Sequence, residues 1–208
     1  SAGPGDAPVG RLSFVETILV MDRPVRHFGW EETIIFFNDS KTVRYARPEG
    51  EVDPGSGVIC FPENYAYGEG EGPPEGLLRI TALANFEKWA ALNASPEAYR
   101  ARKEHWFARL RQQALDFLPP VAGGAGAVAG ATLATDMFTP TTVTRYTGHF
   151  AGAIYGSPHK IRDGRTPYAN LHLIGTDQGF LGITGAMLSG ISMANLHVLS
   201  PAAGGGQG

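Results

Sequence analysis

The sequence predicts an α/β protein of the α+β kind. The expected architecture is a mixed, largely antiparallel sheet with helices, followed by a C-terminal strand–turn–helix. Three observations carry this. Residues 12–82 alternate short β-branched and aromatic runs with turn chemistry. Residues 95–117 repeat apolar positions at helical spacing. Residues 171–195 read as a short apolar strand, a glycine-punctuated turn with one acid, and an apolar helix crowded with small residues.

In order along the chain, strands are expected over 12–21, 32–37, 41–46, 57–61 and 76–82. Between them lie Asn38-Asp-Ser, Pro48-Glu-Gly, Asp53-Pro-Gly-Ser-Gly and a Gly/Glu/Pro loop over 63–76. Brief connections between consecutive short strands favour antiparallel pairing. A short helix follows over 86–92. A longer one opens at Ser95-Pro-Glu, with Ser95 placed to cap and Pro96 at the first helical position. Tyr99, Trp106, Leu110, Ala114 and Phe117 form its apolar stripe, and Pro119-Pro120 ends it. Arg100, Arg102, Lys103, Arg109 and Arg111 occupy the other face. They read either as a solvated basic face or as a patch resting on acidic lipid.

Gly124-Ala-Gly-Ala-Val-Ala129 matches G-x-G-x-x-A in form only. Two prolines precede it where a strand is needed, and Asp136 comes too soon after it to hold a ribose. Residues 121–130 are therefore expected to be a flexible linker. Thr139-Pro140 favours a turn into a short helix, and the glycines after it let Tyr155 be presented on bent backbone. The divisions expected are a flexible segment over 1–10, a sheet-and-helix domain over 11–165, the strand–turn–helix over 166–200 and a disordered tail over 201–208.

Composition narrows the function. With 208 residues, 43% of them hydrophobic, the chain can bury a real core. A net charge of -3 gives no reason to expect nucleic acid as a partner. The single cysteine, Cys60, sits in an apolar run and reads as a core residue in a reducing compartment. There is no signal-peptide pattern at the start, and no charge-free span long enough to cross a membrane is expected. The C-terminal helix comes nearest, bounded by Asp177 and interrupted by small polar residues. The expectation is a cytoplasmic chain, with peripheral membrane contact left open. The six histidines lie singly, without metal-ligand spacing, and no G-x-S-x-G elbow is present.

Within the C-terminal motif, residues 171–174 would supply a buried strand and Gly175 the turn at its end. Asp177 could accept hydrogen bonds from sugar-alcohol hydroxyls, or it could simply cap a turn. Gly179, Gly182 and Gly185 keep the turn free of β-carbons. The first helical turn, Ile183 to Ala186, exposes backbone N–H groups to an anionic or carbonyl oxygen.

Four segments then occur in a telling order. They are Thr139-Pro through Arg145-Tyr-Thr-Gly, Gly152-Ala-Ile-Tyr-Gly, Asn170-Leu-His-Leu-Ile-Gly-Thr-Asp and Gly185-Ala-Met-Leu-Ser-Gly-Ile-Ser. This order resembles the C-terminal part of the phytoene dehydrogenase and carotenoid isomerase family of FAD-dependent oxidoreductases. The resemblance spans about residues 13–198, and its specific part is the last third.

The resemblance implies that the strand–turn–helix completes a Rossmann-type FAD domain. Gly175, Thr176, Asp177, Gly182, Ile183, Thr184, Gly185 and Ala186 would then lie near the ribityl chain and flavin ring. The upstream sheet would cover a hydrophobic polyene or isoprenoid substrate. Members of the family begin with a strand–G-x-G-x-x-G–helix unit, and none precedes Ser13 here. The expectation is thus a fragment of a cleaved chain, or one subunit of a two-chain enzyme whose partner supplies the dinucleotide-binding half. His149, Tyr155 and His159 are the catalytic residues to test; His172 and His197 rank below them. Desaturation and flavin-dependent double-bond isomerisation are not separated by the motifs, and a non-catalytic binding or stabilising subunit is the reading from another class.

Overall fold

The computed structural model describes residues 9–199. The expectations for 1–8 and 200–208, including the loose start and the tail, lie outside the described residues. The chain divides into two compact units, one over residues 12–153 and the other over 154–199 together with 9–11.

The larger unit is built on a five-stranded sheet in the order β2-β3-β4-β1-β5. Its strands are β1 (Ser13–Met21), β2 (Ile34–Asn38), β3 (Ser56–Cys60), β4 (Gly76–Ala84) and β5 (Thr132–Phe138). Each neighbouring pair is antiparallel, with Thr17 opposite Ile80 across β1 and β4, and Ile18 opposite Asp136 across β1 and β5. The largely antiparallel sheet of the sequence reading is therefore present.

Period-2 alternation decides what each face does. Val15, Leu19 and Met21 of β1 and Leu78, Ile80, Ala82 and Ala84 of β4 point into the core. There they meet α1 (Phe86–Ala91), α2 (Pro96–Phe117) and α3 (Gly124–Gly130) through Trp89, Leu110, Ala114 and Val128. Trp30 and Trp89 are fully buried, and each donates its indole N–H to a carbonyl, Pro119 O at 3.1 Å and Glu51 O at 3.1 Å. That bond removes the cost of burying a polar indole nitrogen.

The helix starts follow their caps. Asn85 accepts from the Lys88 amide, Ser95 from Ala98, and Thr139 from Thr142 at the head of α4 (Pro140–Thr147). Pro96 and Pro140 both sit at the first helical position, where a missing N–H costs nothing. Ser95→Ala is expected to lower stability by about 1 kcal/mol, read as a shift of the urea midpoint without a change of slope.

Several expectations are corrected. Residues 41–46 form no strand, since a bend-rich stretch carrying Lys41, Arg44 and Arg47 has little apolar surface to bury. Residues 121–130 are not a linker: Val128 is fully buried, and that contact carries the helix α3 despite its glycines. The strand β5 was not foreseen. It is an exposed edge strand anchored through Met137, so its apolar alternation is weak. Cys60 is half-buried on the sheet face away from the helices, where burial pushes its thiol pKa up.

The basic face of α2 is tied locally. Arg102 lies 3.4 Å from Glu51 and Lys103 lies 3.4 Å from Asp136, while Arg109 and Arg111 sit over the Trp106 and Phe107 rings.

In the smaller unit, the strand expected over 171–174 is absent. His172 makes one isolated bridge with Arg165, and Leu171 and Ile174 are exposed where burial was expected. A single three-turn helix cannot cover both faces of that segment, so it stays extended without a ladder. Helix α5 (Gly182–Ala194) follows, and a π-helical turn, Asn195–Leu199, extends it. Together, Gly182–Leu199 is long and apolar enough by composition to cross a membrane, contrary to the sequence expectation.

Candidate functional site

The candidate site is the turn over 175–182 and the start of α5. The chain reaches it through a tight loop. Asp177 Oδ1 accepts the Ser157 amide at 2.7 Å, and Asp177 O accepts the Ile161 amide at 3.0 Å. Lys160 Nζ donates to Thr176 O at 2.8 Å and also to Tyr155 O. Gly156 allows this closure: its φ is +62, and a β-carbon there would stand 2.2 Å from Asp177 Oδ1. Asp177 is thus first a loop clasp, using one of its carboxylate oxygens.

A buried polar relay holds the turn against α5. The Gly175 amide donates to Ser189 Oγ at 2.7 Å, Ser189 donates to Gln178 Oε1, and Gln178 Nε2 donates to Arg162 O at 2.8 Å. Ser189 and Gln178 are both buried, so the relay satisfies groups that would otherwise be costly. Sequence reading missed both residues. Their only signal was a polar side chain amid glycines, one in the turn and one in an apolar helix.

The residues proposed to meet a flavin are accessible. Gly175 and Gly182 adopt left-handed φ of +80 and +71, and a β-carbon on either would meet nothing within 4 Å. Backbone there is open to close approach by a ligand. Leu181 caps α5 without a side-chain hydrogen bond, which leaves the first N–H groups of the helix for another acceptor. Thr184 and Ala186 are exposed, and Ile183 is 85% exposed. Gly185 instead packs on Phe180, so its role is internal. Open backbone beside unclaimed helix N–H groups can receive hydroxyl or carbonyl oxygens of a ligand. Gly124-Ala-Gly-Ala-Val-Ala129 lies on α3, and no strand leads into it.

The catalytic expectations separate. His149 lies exposed at the end of α4 in the larger unit, its amide donating to Thr147 Oγ1 at 3.2 Å. Tyr155 is half-buried and His159 exposed in the smaller unit, the latter donating its amide to Ser157 Oγ at 3.1 Å. No described cluster of His, Cys, Asp or Glu could hold a metal ion. His172 and His197 stack in parallel with centroids 4.0 Å apart, and His197 Nε2 lies 2.6 Å from Asp163 O. They secure the end of α5 to the preceding loop.

The larger unit carries two open grooves. One, of about 620 Å³, runs between α2, β5 and α4 and is lined by Tyr99, Lys103, Asp136, Thr142 and Arg145. The other, of about 460 Å³, lies among the loops around Asp39 and Asp53. Neither contains His149. No protein-family model matches the chain, and no curated protein matches it.

Proposed function

We propose that this chain is one part of a two-chain FAD-dependent oxidoreductase acting on a hydrophobic polyene, isoprenoid or related substrate. A partner chain supplies the dinucleotide-binding half. The observation that carries the reading is the unpartnered apolar face of α5 directly behind a glycine turn. Ile183, Met187, Leu188 and Ile191 are all at least half exposed. Such a face on a helix that opens at bare backbone is costly in water and calls for a covering surface. The likeness of the four C-terminal segments to the phytoene dehydrogenase family supplies the identity of the cofactor and the class of substrate.

Bound at the turn, the flavin would supply hydride acceptance at N5. The chain's own contributions are narrower. Gly175 and Gly182 let the ligand approach the backbone, and the opening N–H groups of α5 face its carbonyl oxygens. The Ser189–Gln178 relay holds the turn in place. In this reading no side chain of the chain moves a proton, in keeping with the exposed positions of His149 and His159. That exposure also favours a second reading, a non-catalytic subunit that stabilises the flavin-bearing chain.

Asp177 tests the cofactor contact. Asp177→Asn keeps an oxygen for the Ser157 amide and preserves the loop, but it removes the charge offered to a ribityl hydroxyl. Flavin retention by the two-chain complex is expected to fall about tenfold, the worth of a charge-assisted hydrogen bond. Equilibrium dialysis of the flavin measures it. Full retention in Asp177→Asn with loss in Asp177→Ala would reduce the residue to its clasp and leave the flavin contact elsewhere.

A further inference from the structure

The two edges of the sheet are unlike. On β5, Asp136 is exposed with Lys103 3.4 Å away, and the ladder with β1 shifts register between Val20 and Met21. Charges and irregularities of this kind keep an edge from recruiting another strand. The opposite edge, β2, carries neither. Ile34-Ile-Phe-Phe-Asn38 has no charge and no proline, and it pairs with β3 without a break over all five residues. Its other side has no strand neighbour, so half of its N–H and C=O groups point outward.

Alternation sets what this edge presents. Phe37 is buried and stacks on Phe117 of α2, with ring centroids 4.9 Å apart. Phe36 and Ile34 therefore turn to the opposite face, where they are 80% and 44% exposed. Phe36 is the middle residue of β2.

The flanking charges identify what covers it. Glu31 and Glu32 precede the strand, and Lys41 and Arg44 follow it. All four are exposed, and none joins an ion pair among the described residues. A strand that is acidic before and basic after is complementary to itself run antiparallel. A two-fold axis perpendicular to the sheet keeps the outer faces of both copies on one side, so a residue must lie on the axis. With Phe36 there, Ile34 falls opposite Asn38 of the second copy and Ile35 opposite Phe37. Glu31 and Glu32 of each copy then approach Lys41 and Arg44 of the other, and Asp39 falls opposite Thr33, so no like charges meet.

We infer that β2 is the interface with a second copy of this chain, joined antiparallel about a two-fold axis at Phe36 into one sheet of five strands from each copy. The inference uses neither the glycine turn nor α5, so it stands apart from the oxidoreductase reading. Joining β2 to β5 of another copy is a heterologous contact that leaves an open chain of molecules, and Asp136 opposes it. A contact of five strand residues is small beside the roughly 20–30 residues a side of a standard interface, so the dimer is reversible and concentration-dependent.

Sedimentation velocity of the full chain over a concentration series tests it, with circular dichroism as the check on folding. Phe36→Lys replaces the aromatic pair on the axis by two like charges, and is expected to weaken the dimer at least about tenfold. Glu31→Lys with Glu32→Lys sets like charges at both ends and is expected to weaken it too. Adding Lys41→Glu and Arg44→Glu to that variant is expected to restore it. The register is read by cross-linking in a Cys60→Ser background. Directly opposed residues have Cα atoms about 4.5–5.5 Å apart, within disulfide reach. Mild oxidation is therefore expected to trap Phe36→Cys as a covalent dimer. Ile34→Cys and Asn38→Cys are each expected to trap nothing alone, and to cross-link to one another when mixed.

A chain that stays monomeric at every concentration with no cross-link at position 36 would overturn the inference. So would a cross-link of Ile34→Cys to itself, or a failure of the fourfold charge exchange to restore pairing. Self-association that survives Phe36→Lys but is lost in Ile183→Asp with Met187→Asp would place the contact on α5 and overturn it. Growth past the dimer into polymers would overturn it in favour of open edge-to-edge association.

Discussion

Introducing Ile183→Asp together with Met187→Asp is expected to leave the chain folded and to abolish the proposed capture of a flavin-bearing partner. The two side chains are one helical turn apart on α5 and are 85% and 65% exposed. Neither supports the fold of the free chain. The carboxylate at 183 would even favour the helix, since it lies in the first turn, where the macrodipole is positive. In a complex the balance reverses. An unpaired carboxylate placed under an apolar partner costs several kcal/mol per ion, so each change is expected to weaken association by roughly hundredfold or more. Co-purification of the partner with its flavin absorbance measures the loss, and circular dichroism of the isolated variant checks the helix. A double variant that still brings down flavin would show that this face is not the one that meets the partner.

That face was legible in the sequence as an apolar helix, but its exposure was not. By helical spacing Ala186, Gly190 and Ala194 share one side, while Ser189 and Met193 prove to be the buried positions. A helix apolar all round has no pattern to distinguish inside from outside, so only tertiary contacts could settle it. A different cause hid β5: among its residues only Met137 is buried, so its alternation is weak.

Where one face is buried and capping is strong, sequence and structure agree closely. Ser95-Pro96 opens α2 with the expected cap, and Leu110 and Ala114 are buried as the stripe requires. The antiparallel ladder of β1 and β4 follows directly from their alternation. Residues 171–174 misled for the opposite reason. Their apolar run reads as a central strand, but a strand forms only when a neighbour pairs with it, and among the described residues His172 has a single bridge. A partner chain that pairs with this segment would supply the neighbour it lacks. The site glycines were recognised by position, whereas the Ser189–Gln178 relay was not, because a buried hydrogen bond between a turn and a helix has no period.

The relay and the turn depend on one further glycine, and replacing it gives the second large effect. Gly164→Ala is expected to melt the smaller unit while sparing the sheet. Gly164 has φ of +65, and its added β-carbon would stand 2.5 Å from Met193 Sδ and 2.6 Å from Leu173 O. The sulfur can swing away, but the carbonyl oxygen cannot, because the Gly164 carbonyl accepts the Leu173 amide at 2.7 Å and fixes that backbone. Left-handed strain costs about 1–2 kcal/mol and overpacking about 1–3 kcal/mol more. The smaller unit has little to set against that, since Met193 is its one buried apolar side chain among the described residues of the core. Hydrogen exchange is expected to accelerate throughout Gly182–Ala194 while the amides of Ser13–Met21 keep their protection, since β1 is paired on both sides within the larger unit. Flavin retention by the two-chain complex should disappear with the helix. Uniform acceleration in both segments would mean that the chain unfolds as one body, and the site would then be inseparable from the sheet that precedes it.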